Sequence, residues 1–111
     1  MSRFLASLRH ASNGIAWALK TQRHLRLHAL ATIGVLTLGL VENLAAWEWC
    51  AVWGCIALVW AAELLNTALE ALCDRLIPGQ DDSVRRVKDT AAGAVLVCAI
   101  VSVVIAAIVF L

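Results

Sequence analysis

Polar and apolar positions divide this chain into four segments. Over residues 1–25, Phe4, Leu8, Ile15 and Leu19 fall on one side of a helical wheel, and Arg9, Asn13 and Lys20 fall opposite. That pattern predicts an amphipathic helix lying in a membrane surface. The rival reading, a soluble helix packed on another domain, finds no such domain in the chain. Residues 27–47 form a first candidate span, interrupted near its far end by Glu42 and Asn43. Trp47 and Trp49 bracket Glu48 and read as an interfacial aromatic belt. A second span covers 49–74, and a Pro78-Gly79 break and the acidic run Asp81-Asp82-Ser83 follow it. Ser83 is the expected N-cap of a last helix over 84–111. From residue 90 on that helix is uncharged for about 22 residues, enough to cross with some tilt. With no internal repeat and no linker, residues 1–111 are expected to form a single, all-α integral membrane domain.

Composition agrees with that pattern. Hydrophobic residues make up 62% of the 111 positions and charged residues 15%. A soluble domain of this size carries more charge than that, so the bilayer is the expected solvent for the excess apolar surface. Net charge is only +1, but its distribution is uneven. Arg3, Arg9, Lys20, Arg23 and Arg26 precede the first span, and Arg75, Arg85, Arg86 and Lys88 lie between the second and third. The positive-inside rule places the N-terminus and the 75–88 connection in the cytoplasm and Leu111 outside. No basic patch is interleaved with aromatics, which argues against nucleic acid. Cys50, Cys55, Cys73 and Cys98 form no C-x-x-C pair and show no zinc spacing, so they read as small apolar packing residues. The start lacks the apolar run of a signal peptide, and the chain is expected to keep its N-terminus.

The candidate chemistry lies at the end of the second span. Residues 60–74 are rich in Leu and Ala, without Gly or Pro, and read as helix. Glu63, Asn66, Glu70 and Asp74 then fall within roughly 80° of arc. Measured from Trp49, Glu63 lies about 21 Å along the helix and Glu70 about 31 Å. With a hydrocarbon core about 30 Å thick, Glu63 is inside the cytoplasmic half and Glu70 at its boundary. An ionisable residue inside a span is functional by default. Three roles compete for Glu63: a proton or ion relay in a transporter, a polar lock between helices, and a general base. Glu70, Asp74 and Asn66 look like ligands for a hard cation such as magnesium, which favours a few carboxylates plus substrate phosphates. Lys88 is placed to neutralise phosphate charge. These parts combine as phosphoryl transfer to a lipid hydroxyl, with nucleotide arriving from the cytoplasm. In the blander reading Glu70, Asp74, Arg75, Lys88 and Asp89 are solvated interfacial charges whose pairs contribute ~0–1 kcal/mol. No G-x-x-x-x-G-K-[ST] and no protein-kinase signature is present.

The run Glu63-Leu-Leu-Asn-Thr-Ala-Leu-Glu-Ala-Leu-Cys-Asp74, followed by Lys88-Asp89-Thr-Ala-Ala-Gly-Ala-Val-Leu96, resembles the signature of the small prokaryotic diacylglycerol and undecaprenol kinases. Asn13-Gly14 and the run Thr21-Gln-Arg-His-Leu-Arg-Leu-His28 are similar to the same family more loosely. The resemblance implies a homotrimer in the bacterial inner membrane, each protomer having a surface helix and three transmembrane helices, with active sites shared between neighbours. It implies transfer of the γ-phosphoryl group of ATP to a lipid hydroxyl with Mg2+. By position, Glu63 would be the general base, with Asn66 supporting it, and Glu70 the metal-binding glutamate. Lys88 and Asp89 would contact ATP, as would Arg3 and His10, where His10 replaces an aromatic residue. Two positions depart from the pattern. Gln22 stands where the family often carries a second metal-binding glutamate, so the resemblance implies either a neutral ligand with weaker metal binding or a ligand supplied from elsewhere. Gly79-Gln80-Asp81 replaces a Glu-Tyr-His stretch of the family. The Asn-Thr-Ala-Leu-Glu form and Arg26-Leu27-His28 are similar to the undecaprenol-kinase branch. The different-class rival is a small cation or drug transporter, or a non-catalytic membrane scaffold. Small multidrug exporters, however, have four spans with the key carboxylate in the first.

Overall fold

The computed structural model describes residues 2–111 and is all-helical, with α1 Arg3–Thr21, α2 Arg23–Glu42, α3 Ala46–Leu76 and α4 Asp82–Phe110. Ser2 starts α1, its Oγ accepting the Leu5 N–H at 3.2 Å. The first helix ends at Thr21, short of residue 25, because Gln22 turns extended at φ −112° and ψ 115°. The side chain of Arg26 holds that break. Its Nη1 donates to the carbonyls of Leu19 at 2.9 Å and Lys20 at 3.0 Å. Those carbonyls belong to the last turn of α1, which has no intrahelical donors for them.

The second helix starts at Arg23, ahead of the expected residue 27, and Glu42 and Asn43 end it rather than interrupt it. Asn43 adopts the left-handed conformation at φ 59°, a familiar stop for a helix. Gly39 permits the turn into α3, since a Cβ there would stand 2.8 Å from the Trp49 ring. Glu48 caps α3, its Oε1 accepting the Ala45 N–H at 2.9 Å. At 31 residues, α3 is about 46 Å long, well over the thickness of a hydrocarbon core. Gly79, at φ 94°, supplies the left-handed residue of the turn that follows. Asp81, rather than Ser83, caps α4, its Oδ1 accepting the Val84 N–H at 2.9 Å. The helix starts earlier than expected, at Asp82, and a carboxylate outside its positive end is favourable.

Helices α2, α3 and α4 are each long and apolar enough to cross a membrane. The most apolar of the three is α4. Helices α3 and α4, joined by the short turn, form the main packed pair, with α2 against α3 and α1 touching both α2 and α3. The molecule is a slab of 48 × 42 × 20 Å, about two helices thick. Its interior is small. Ala18, Leu25 and Val52 are the buried hydrophobic residues among those described, and Glu63 and Thr67 are buried beside them. Leu40, Val103 and Ile108 are each more than two-thirds exposed, an arrangement suited to lipid or to further protein around the helices. The cysteines are free thiols, Cys50 exposed and the other three half-buried, so none is a core residue within one chain.

Candidate active site

The helical spacing of α3 sends Glu63, Asn66, Thr67 and Glu70 toward the α1–α2 break on one side and α4 on the other. Together with Gln22, His24, Ala92 and Val95 they line a polar cavity of about 450 Å³. Glu63 is 8% exposed and Thr67 5%. A carboxylate in that position needs a hydrogen-bond donor, and α2 supplies one: His28 Nε2 donates to Glu63 Oε1 at 2.9 Å. With Glu63 as a carboxylate the ring nitrogen is the donor, which requires a proton on Nε2. One turn further along α2, Thr32 Oγ1 donates to the His28 carbonyl at 2.7 Å and accepts the Trp60 indole N–H at 2.9 Å. The chain Trp60–Thr32–His28–Glu63 thus laces α2 to α3.

A second cavity, of about 290 Å³, opens on the far side of His28. It runs between α2, α3 and α4, is lined by Val35, Ile56, Val59, Ala106 and Phe110 among others, and is almost wholly apolar. His28 lines this cleft and Glu63 lines the polar cavity. Their hydrogen bond therefore sits where a space suited to hydrocarbon meets a space suited to charge.

The sequence-selected residues distribute unevenly over these features. Gln22, Glu63, Asn66 and Glu70 are brought together. Asp74 is instead paired with the Lys88 ammonium, tying α3 to the first turns of α4. Neither residue lines the polar cavity, nor do Asp89, Arg3 or His10; Arg3 and His10 are exposed on α1. Among the described residues no three His, Cys, Asp or Glu side chains converge as a metal-binding group. The cavity nevertheless has hard-cation chemistry, with the Glu70 carboxylate and the amide oxygens of Gln22 and Asn66. The buried Asn66 Oδ1 has no hydrogen-bond partner, as befits an oxygen reserved for a ligand. This donor set fits a magnesium ion held mainly by substrate phosphates and water.

Sequence reasoning missed His28 as the partner of Glu63, and His24 and Thr67 as cavity residues. One available signal was that His28 is the only ionisable side chain between Arg26 and Glu42. An ionisable residue inside a span calls for a partner at equal depth.

Comparison with known proteins bears on the chain as a whole. The prokaryotic diacylglycerol kinase family profile matches residues 9–110. The chain is 36% identical to an undecaprenol kinase of Bacillus subtilis over 111 residues, covering all of this chain and 90% of that protein. It is 39% identical over 103 residues to a diacylglycerol kinase of Synechocystis, covering 91% of this chain but 58% of the cyanobacterial protein. A match over nearly its whole length, on a scaffold of three apolar helices, places this chain in the prokaryotic diacylglycerol kinase family, a family of lipid kinases.

Proposed function

We propose that this protein is a membrane lipid kinase that transfers the γ-phosphoryl group of ATP to the hydroxyl of undecaprenol, giving undecaprenyl phosphate, at the cytoplasmic face. The observation that carries the reading is a buried carboxylate, Glu63, at the junction of a polar cavity and an apolar cleft. The lipid chain lies along the cleft and its hydroxyl reaches Glu63. Glu63 takes the hydroxyl proton, the oxygen forms a bond to the γ-phosphorus, and the bond to the departing ADP breaks. Glu70, with the amide oxygens of Gln22 and Asn66, would hold magnesium, which when bound offsets the negative charge of the phosphates. Asn66 also supports the carboxylates on its own face of α3. Asp74 is a weaker candidate ligand, since Lys88 occupies it. Lys88 and Asp89 contact the nucleotide at the mouth of the site.

Arg3 and His10 complete the ATP site from a neighbouring protomer. A homotrimer with shared sites would bring these two residues to a neighbour's cavity and would cover part of the bare apolar surface. In this reading residues 1–111 form one membrane domain, α1 lies in the membrane surface, and Leu111 faces outward.

Hydrogen bonding at the cleft favours undecaprenol over diacylglycerol. The N–H and O–H groups of Trp60, Thr32 and His28 are already engaged within the protein, which leaves the Ser102 hydroxyl as the one further polar side chain on the cleft wall. An isoprenoid alcohol brings one hydroxyl and no other polar group, whereas two ester carbonyls would compete for those donors. The full-length match to a protein named undecaprenol kinase leans the same way. The test is purified protein in detergent, with magnesium, labelled ATP and a panel of undecaprenol, diacylglycerol and ceramide. Phosphorylation of undecaprenol above the other two is expected. Faster turnover of diacylglycerol would overturn the substrate choice, and no labelled lipid from any of the three would overturn the kinase reading.

A further inference from the structure

Glu63 is reached from α2 by one side chain, and that side chain belongs to the wall of the apolar cleft. A glutamate has three side-chain torsions. Left unheld, it would sample rotamers that aim its oxygens away from an arriving alcohol. The His28 imidazole removes that freedom. With its proton on Nε2 it donates to Oε1 at 2.9 Å and leaves Oε2 as the oxygen available to the acceptor. The His28 backbone carbonyl accepts from Thr32, which in turn accepts from Trp60, so α2 and α3 are tied beside the ring, while the ring's own bond is to Glu63. His28, Thr32 and Trp60 line the apolar cleft and not the polar cavity, whereas Glu63 lines the polar cavity.

We propose that His28 is a positioning residue for phosphoryl transfer. It holds Glu63 by one oxygen, at the end of the apolar cleft, so that the other oxygen meets the lipid hydroxyl. The inference rests on Glu63 being the general base. His28 keeps its own proton throughout. The hydroxyl proton ends on Glu63, and the imidazole contributes an oriented N–H and an apolar ring edge past which the alcohol slides. The same bond also joins α2 to α3, so a purely structural role for His28 is the alternative that the test must separate.

Three variants separate them: His28→Leu, His28→Gln, and His28→Leu combined with Glu63→Gln. A glutamine amide can present an N–H near the place of Nε2, and leucine cannot. His28→Leu is expected to lower kcat with the lipid alcohol by about 10- to 100-fold, in the range lost when a supporting partner of an active-site ligand is removed. KM for ATP and magnesium-dependent nucleotide binding should stay within about twofold, because His28 does not line the polar cavity. His28→Gln should recover most of the lost kcat. In the Glu63→Gln background, His28→Leu should cause no further loss, since there is no base left to position. Wild-type kcat in His28→Leu would overturn the proposal, as would a loss confined to KM for ATP. A lowered melting temperature with unchanged kcat would assign His28 to helix packing alone. If His28→Leu does not fold, His28→Gln decides, with kcat near wild type supporting the proposal and a folded but inactive protein overturning it. Full activity of Glu63→Gln alone would instead remove the base reading on which the inference rests.

Discussion

At the scale of the residue, the site turns on how a bilayer-embedded protein satisfies buried oxygens. An unpaired polar group taken out of water costs about 1–3 kcal/mol and a charged one more. Glu63 is relieved of that cost by His28, whereas the Asn66 Oδ1 is not relieved by anything in the protein. That contrast sets an oxygen held in place beside an oxygen that a ligand would satisfy. The acidic stripe was legible in the sequence because it lies on one helix, where a spacing of three or four residues fixes the face. The histidine was not, since it stands 35 positions away on another helix and only packing brings the two together. Gln22 gives the sharpest prediction at this scale. It lines the cavity beside Glu70 and contributes a neutral oxygen where a carboxylate would contribute a charge. Gln22→Glu is expected to tighten apparent magnesium affinity several-fold, read from magnesium titration of nucleotide binding. Unchanged or weaker affinity would take Gln22 out of the metal shell.

At the scale of the element, the existence of four helices follows from hydrophobic pattern, and their ends follow from single side chains. Arg26 was counted from the sequence only as a positive charge, yet it clamps the last carbonyls of α1 and so fixes the break at Gln22. That break aims Gln22 and His24 into the cavity rather than along the membrane surface. Asp81 displaced Ser83 as the cap of α4, which periodicity cannot decide to within a residue or two. Gly39 is a further case. The sequence offers no reason for a glycine there, and the structure gives one in the ring of Trp49. Gly39→Ala should push that ring off α2 and destabilise the α2–α3 corner by about 1–3 kcal/mol, in line with other overpacked sites. The measurement is thermal unfolding in detergent, where a melting temperature equal to wild type would show that the ring moves aside freely.

At the scale of the whole molecule, the chain buries too little of itself to be understood alone. Its interior is a handful of residues, two of them polar, while three long helices present apolar surface outward. Composition made the membrane setting legible. The number of copies was not, because a surface that meets lipid and one that would meet another protomer are equally apolar. The charge pattern predicts an orientation, with all nine Lys and Arg on the N-terminal arm and the connection between the second and third spans. A periplasm-dependent reporter such as alkaline phosphatase, fused after Leu111, is expected to be active; activity only for an N-terminal fusion would reverse the topology. The central claim is that Glu63 removes the lipid proton, and its most direct test is steady-state phosphorylation of undecaprenol by Glu63→Gln. The account predicts kcat lowered by about 10²–10⁴-fold, the usual worth of a general base, with magnesium-dependent ATP binding retained. Turnover within a few-fold of wild type would contradict it.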